Sequence, residues 1–208
     1  APVASLGFTV DYFGTNYSTI YVNSNGNLTF GNGLRTYTPF GMAGTSTPII
    51  APYFADVDLR GGGVTNTVFY GTATVNGRPA FVATYLDAGY YRRQTDKLNT
   101  FQLVLIDRSD IAAGDFDLEY NYAQIQWETG SASGGSGGLG GNSAVVGYSA
   151  GDGANYYEFP GSAVNGAFLD SNPTTGLINS SNVSPTCGRY IHFIRGGTPA
   201  PIATNNDY

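Results

Sequence analysis

An all-β fold, an antiparallel β-sandwich with a barrel-like closure as the alternative, is predicted for this 208-residue chain. Three observations predict it. Gly interrupts every window of helical length, and Leu, Glu, Lys and Gln are scarce. Short runs alternate apolar and polar residues along the whole chain. Asn-Gly dipeptides separate two pairs of such runs, where the positive φ angles of a hairpin turn are needed.

The elements follow in order. Phe8–Tyr12 alternates, and so does Ser18–Val22. Asn25-Gly26 then precedes Leu28-Thr29-Phe30, so residues 18–31 read as a hairpin with a type I′ turn. Val68–Val75, Asn76-Gly77 and Pro79–Leu86 repeat that design. Asn99–Asp107 is apolar on both faces near its centre and reads as a central, buried strand. Asp115–Tyr122, Ile125–Trp127, Ala144–Ser149, Asn155–Phe159 and Arg189–Arg195 complete a set of around eleven short strands. They belong to one domain over 8–195, in which 130–141 (GSASGGSGGLGG) is an exposed, flexible loop. Residues 1–7 read as an extended N-terminal segment, and 196–208 as an extended Gly/Pro tail leaving the domain.

Composition narrows the function classes. Charged residues are only 12%, about half the usual share, and the net charge is −6. Lys97 stands alone beside eight Arg, with no basic cluster for phosphate, so nucleic acid is not a partner. No apolar run approaches the ~18 residues of a membrane helix. Low Lys, abundant Gly, Thr, Asn and Tyr, and net acidity point to a secreted or cell-surface protein. The chain begins at Ala1 without Met, as a processed form or a piece of a longer polypeptide does. The lone Cys187 reads as a buried small hydrophobe, with an intermolecular bridge as the alternative.

No catalytic constellation emerges, so the chain reads as a non-enzyme. A triad needs a base beside its nucleophile, and the single His192 sits mid-strand, on the face shared with Tyr190 and Ile194. It reads as structural. One His and one Cys cannot supply a zinc site. Gly61-Gly62-Gly63 lacks the Lys and helix of a phosphate loop, and no cofactor is required. Carboxylates remain. Asp56 and Asp58 are two apart, on one face of a strand if the strand continues, and form the candidate metal pair, with calcium as the ion and Arg60 or Arg92 as competing partners. Asp115, Asp117 and Glu119 read as a solvated strand face. Tyr90-Tyr91 and Tyr156-Tyr157 are adjacent aromatic pairs, one member of each pointing outward, and form the candidate ligand surface for a glycan or protein. Sequons place N-glycosylation, in a eukaryotic source, at Asn16, Asn27, Asn179 and Asn182.

The order of segments resembles the nidogen-like domain of extracellular matrix and cell-surface proteins. Ile20–Phe30 (IYVNSNGNLTF), Ile50–Asp58 (IAPYFADVD), Asn99–Leu103 (NTFQL) and Tyr120–Glu128 (YNYAQIQWE) carry the likeness. Val145–Tyr148 and Gly188–Tyr190 continue it, over residues 12 to 195. Tyr53-Phe54 departs from the family's frequent Phe-Trp. The resemblance implies a non-catalytic extracellular module for adhesion or matrix assembly, with no catalytic residues to carry over.

Together these readings predict a structural protein whose partner is itself. Its copies associate through β edges and extended termini into a matrix or filament, with Pro2, Val3, Leu6, Pro199, Pro201 and Ile202 as the assembly residues. The alternative is a monomeric module that binds a glycan or matrix protein.

Overall fold

Two antiparallel six-stranded sheets face each other across an aromatic interior. The computed structural model describes residues 1–62, 67–183 and 187–201. Twelve strands run through these residues: β1 (Val3–Tyr12), β2 (Thr15–Asn23), β3 (Asn27–Thr29), β4 (Ile49–Phe54), β5 (Thr67–Val75), β6 (Arg78–Tyr90), β7 (Gln94–Asp107), β8 (Phe116–Ile125), β9 (Val145–Ser149), β10 (Tyr156–Glu158), β11 (Arg189–Arg195) and β12 (Thr198–Ala200). One sheet has the order β1-β2-β3-β4-β9-β10, the other β12-β11-β8-β7-β6-β5. Both sheets stay open, so the sandwich is realised and the barrel is not. The only helical pieces among the described residues are the 3-10 turns Met42–Gly44 and Ser131–Ser133.

Local sequence explains the turns. Val75 pairs with Arg78, and Asn76 and Gly77 take φ of 49° and 79°, a two-residue turn of the expected kind. Asn23 pairs with Asn27, so the first Asn-Gly lies in a three-residue connection in which Gly26 alone takes positive φ. Gly26 has no alternative: a Cβ there would stand 1.8 Å from the Tyr53 carbonyl oxygen. The expected central strand is β7, flanked by β6 and β8, with Leu103, Val104, Leu105 and Ile106 all buried.

The ends differ from expectation. Residues 3–7 are the first half of β1, paired with β2, because the alternation of Ala4, Leu6 and Phe8 continues that of Val10 and Tyr12. Segment 196–200 does not leave the domain: Gly196 and Gly197 turn the chain so that β12 pairs with β11. The backbone amide of Phe13 donates to the Gly197 carbonyl at 2.7 Å, tying the two ends together.

The interior is filled by rings whose polar tips cross between the sheets. From β6 and β8, Tyr85 donates to the Asn23 carbonyl (2.5 Å), Tyr122 to the Pro52 carbonyl (2.7 Å) and Tyr120 to the Gly147 carbonyl (3.4 Å), all in the opposite sheet. Tyr53 on β4 reaches back to the Trp127 carbonyl at 2.7 Å. Burial raises the hydroxyl pKa of Tyr53, Tyr85, Tyr120 and Tyr122 well above the ordinary value, so each stays a donor.

The acidic run is not a solvated face. Asp115, Asp117 and Glu119 are buried and paired with arginines. Arg195 and Arg108 both reach Asp117, at 2.5 and 3.0 Å, and Arg189 holds Glu119 at 2.8 Å. Their alkyl stems suit the cover of the apolar patch of Ala80, Val104 and Ile106 on that face.

His192 stands where expected, as a packing residue. Its ring lies 4.8 to 5.9 Å from those of Tyr157, Phe159, Tyr148 and Tyr120. Burial pushes its pKa down to about 4. The folded state therefore disfavours the imidazolium. Stability from this residue is fully present above the unfolded value of 6.5 and is lost as pH falls toward 4. The loss is at most about 3 kcal/mol. Denaturant unfolding at a series of pH values should show this acid arm in the native chain and a flatter one in His192→Gln.

Candidate binding surface

The segment after β4, the β6–β7 turn and the Gly/Ser-rich loop meet at one surface. β4 ends at Phe54, and Val57 then forms an isolated bridge with Tyr90, so Asp56 and Asp58 leave the sheet rather than share a strand face. They take separate partners. Asp56 Oδ2 accepts the backbone amides of Ala132 (3.0 Å) and Ser133 (3.2 Å). Asp58 accepts the Arg60 side chain through Nε (2.7 Å) and Nη2 (2.6 Å), and the backbone amides of Arg60 and Arg93 (3.0 Å each). Burial raises the Asp56 pKa to about 6, with the Asp58 charge adding to it. Hydrogen bonding by the Arg60 guanidinium lowers that of Asp58.

This donor set does not fit calcium. The ion wants about six to eight oxygens. Asp58 already receives four N–H groups, and among the described residues no three His, Cys, Asp or Glu gather. The two carboxylates act as clamps. Asp58 joins segment 58–61 to the β6–β7 turn, and Asp56 joins segment 55–58 to the Gly/Ser-rich loop.

That loop is exposed along half its length, as expected, but it is tied to the domain by hydrogen bonds. The indole of Trp127 is buried and donates to the Ala88 carbonyl at 2.8 Å. The loop closes over it: the amides of Glu128 and Thr129 donate to the Gly138 carbonyl, and Ser131 donates to the Tyr91 carbonyl at 2.9 Å. Its glycines serve close approach. A Cβ on Gly130 would meet Asp56 Oδ2 at 2.5 Å, and one on Gly135 the Thr129 carbonyl oxygen at 2.6 Å.

Tyr91 stands half-buried among these contacts. Its amide donates to the Asp56 carbonyl at 3.1 Å, so its backbone is fixed on both sides. The guanidinium carbons of Arg92 and Arg60 lie 5.8 and 6.0 Å from its ring centroid. A cleft of about 390 Å³ opens on one side, lined by Asn25, Tyr37, Asp58, Arg60 and Tyr91. Another of about 370 Å³ opens beyond, lined by Tyr91, Arg92, Gln94, Ser131 and Ser136.

The other sequence candidates are dispersed. Tyr90 points inward, buried, with its hydroxyl on Asp96 at 2.9 Å. Tyr156 and Tyr157 lie on β10 in the other sheet, both exposed, and no ring contact joins them to the Tyr90-Tyr91 pair among the described residues. Leu6 is wholly buried and unavailable to a partner, because β1 turns it into the core. Pro2, Val3, Pro199 and Pro201 are exposed, and Ile202 lies outside the described residues. Cys187 is exposed rather than buried, at the approach to β11. Sequence reasoning missed Arg93 and the Gly/Ser-rich loop. The signal for the first was present: Arg92-Arg93 is the one adjacent basic pair in a chain of nine basic residues.

The sequons separate by environment. Asn27 is wholly buried, with its amide on the Asn25 carbonyl. Asn179 donates to the carbonyls of Asp170 and Asn172, and Asn182 both donates to and accepts from the Ile191 backbone. Asn16 is exposed at the start of β2.

Fold and surface together define a β-sandwich module with a built polar surface and no catalytic constellation among the described residues. The nidogen-like domain family model matches residues 18–76 and 65–196. The chain belongs to the nidogen-like domain family. It is 31% identical over 182 residues to alpha-tectorin of Homo sapiens, covering 76% of this chain and 8% of that protein. It is 28% identical over 199 residues to nidogen of Drosophila melanogaster, covering 84% of this chain and 14% of that protein. Dendrite extension defective protein 1 of Caenorhabditis elegans is 26% identical over 191 residues, with 81% and 15% covered. The chain thus spans a small part of these relatives. No solved structure matches it significantly.

Two outcomes test this description. Gly130→Ala should destabilise the protein by about 1–3 kcal/mol in denaturant unfolding. Gly44→Ala, whose Cβ meets nothing within 4 Å, should change it by about 0.5 kcal/mol or less. Secreted from a eukaryotic host, the chain should carry glycan at Asn16 alone, and mass spectrometry of Asn16→Gln should show the bare polypeptide mass.

Proposed function

We propose that this chain is a non-catalytic, extracellular structural module that self-associates through a sheet edge. Membership of the nidogen-like family supports the extracellular, structural part. No helix among the described residues is long and apolar enough to cross a membrane, which accords with a secreted protein.

The observation that carries self-association is the contrast among the four sheet edges. A bare edge is a template for another strand unless it is bulged, short, charged or carries Pro. β1 is bulged between Ser5 and Val10 and carries Asp11. β10 has three residues and ends in Glu158. β12 has three and carries Pro199. β5 has nine (TVFYGTATV), none of them charged or Pro, in unbroken register with β6. It exposes Phe69 and Tyr70, at 55% and 43%. Ala1 and Pro2 line a groove with Thr67, Val68 and Tyr70, so the N-terminus adjoins this edge. Antiparallel pairing of β5 with β5 of a second copy would continue the sheet across two molecules.

Deleting 197–208 would remove β12 and the carbonyl that receives the Phe13 amide, so edge substitutions test the proposal more cleanly. Sedimentation velocity of the native chain should show dimers or larger species that dissociate on dilution. Phe69→Lys with Ala73→Lys, both on exposed positions, should raise the dissociation constant at least about tenfold. A native chain that sediments as a 21.9 kDa monomer at every concentration would overturn the reading.

A further inference from the structure

The surface around Tyr91 gathers three of the chain's nine basic residues. The chain carries −6 overall, yet Arg60, the exposed Arg92 and Arg93 of the β6–β7 turn stand beside Asp56 and Asp58, each only 3% exposed, with Asp96 in the wall of the second cleft. Arg60 is satisfied in part by Asp58, to which it turns Nε and Nη2. Among the described residues, Arg92 and Arg93 have no carboxylate partner, nor has the isolated Arg35, whereas Arg78, Arg108, Arg189 and Arg195 all have one. A protein with so few cations that leaves two guanidinium forks open at one spot presents a site for anions.

We propose that this surface binds an acidic polysaccharide, with its carboxylate or sulfate groups taken by Arg92 and Arg93 and its hydroxyls by the two clefts that flank Tyr91. Three features favour a sugar chain. The clefts lie on either side of one residue, so an extended ligand can cross Tyr91 and enter both. Their walls carry amides and hydroxyls, from Asn25 and Tyr37 on one side and Gln94, Ser131 and Ser136 on the other, together with the carboxylates of Asp56, Asp58 and Asp96, acceptors for sugar hydroxyls. No open strand edge lies here for a peptide backbone to extend, since the arginines occupy the turn between β6 and β7. The backbone of the site is preorganised. Asp58 holds the Arg60 side chain and the Arg93 amide, while Asp56 and Ser131 hold the Tyr91 backbone, so the ordering left to binding falls on the Arg92 and Arg93 side chains.

Isothermal titration of the full chain tests this with a short sulfated glycosaminoglycan, a short uronate oligomer, a neutral dextran of equal length and a short poly-glutamate peptide. At least one acidic oligosaccharide should bind, more weakly as salt rises. Arg92→Ala with Arg93→Ala should weaken it by about tenfold or more. Arg92→Lys with Arg93→Lys keeps the charge but loses the fork, and should fall between. Arg78→Ala, on the distant side of the β5–β6 hairpin, should bind as the native chain does, and equal melting temperatures confirm folding. Binding only the sulfated or only the uronate oligomer still supports the site and fixes which anion it reads. No binding of either acidic sugar, equal binding of dextran, tighter binding of poly-glutamate, or unchanged affinity in the double alanine variant would each overturn the proposal. None of these residues lies on β5, so the outcome is independent of self-association.

Discussion

The sandwich depends on tyrosine hydroxyls that reach from one sheet to backbone carbonyls in the other. A dry interface between two open sheets buries carbonyls at every irregular strand end, and each would cost about 1–3 kcal/mol if left without a donor. Tyr53, Tyr85, Tyr120 and Tyr122 supply those donors from ring systems that also fill the interior. One side chain thus does two jobs, apolar packing along its body and hydrogen bonding at its tip. The constraint also sets distance: a ring that must reach a particular carbonyl fixes the sheets in depth and register, where aliphatic packing alone would tolerate sliding. Trp127 repeats the device, with its indole on the Ala88 carbonyl and its own carbonyl receiving Tyr53 and Asn99.

The scarcity of charge follows from the same architecture. With the interior assigned to aromatics, ionic groups serve at only a few places, and each place is specific. On the outer face of the second sheet, arginines and carboxylates pair beside the apolar patch of Val104 and Ile106. In the segment after β4, two carboxylates tie separate chain segments together. Few charges remain to guard strand edges, which are instead protected by a bulge, by shortness or by Pro199, and β5 has none of these.

Much of this was legible in the sequence, and the failures share a cause. The period-two runs located β7, β8, β11 and the β5–β6 hairpin, because alternation records which face is buried. His192 was readable for the same reason, its parity with Tyr190 and Ile194 placing it inward. The first half of β1 was misread because the exposed Val3, Ser5 and Gly7 mask the alternation of Ala4 and Leu6. The Gly/Ser-rich loop was misread because composition alone cannot tell a glycine that gives freedom from one that permits contact. Gly130 and Gly135 are the second kind, and only the positions of Asp56 and Thr129 reveal it. Asp56 and Asp58 were paired by a strand that ends two residues earlier, at Phe54. Cys187 was assigned to the core on residue type, while its place before β11 leaves it outside.

The binding surface inherits its rigidity from the elements the sequence concealed. Tyr91, Arg92 and Arg93 sit on a turn, and an isolated turn would be a poor platform, because fixing its backbone costs about 1–2 kcal/mol per residue. Here the turn is pinned at three points: the Tyr91 amide on Asp56, the Tyr91 carbonyl on Ser131 and the Arg93 amide on Asp58. The acids that anchor it are buried, so their charge is spent inward while the guanidinium charge faces out. Asp58 is held ionised by Arg60, and Asp56, raised toward neutrality by burial, offsets less of the positive charge as the medium becomes mildly acidic. The same two residues that first suggested a cation site therefore make the surface around them fit for an anion.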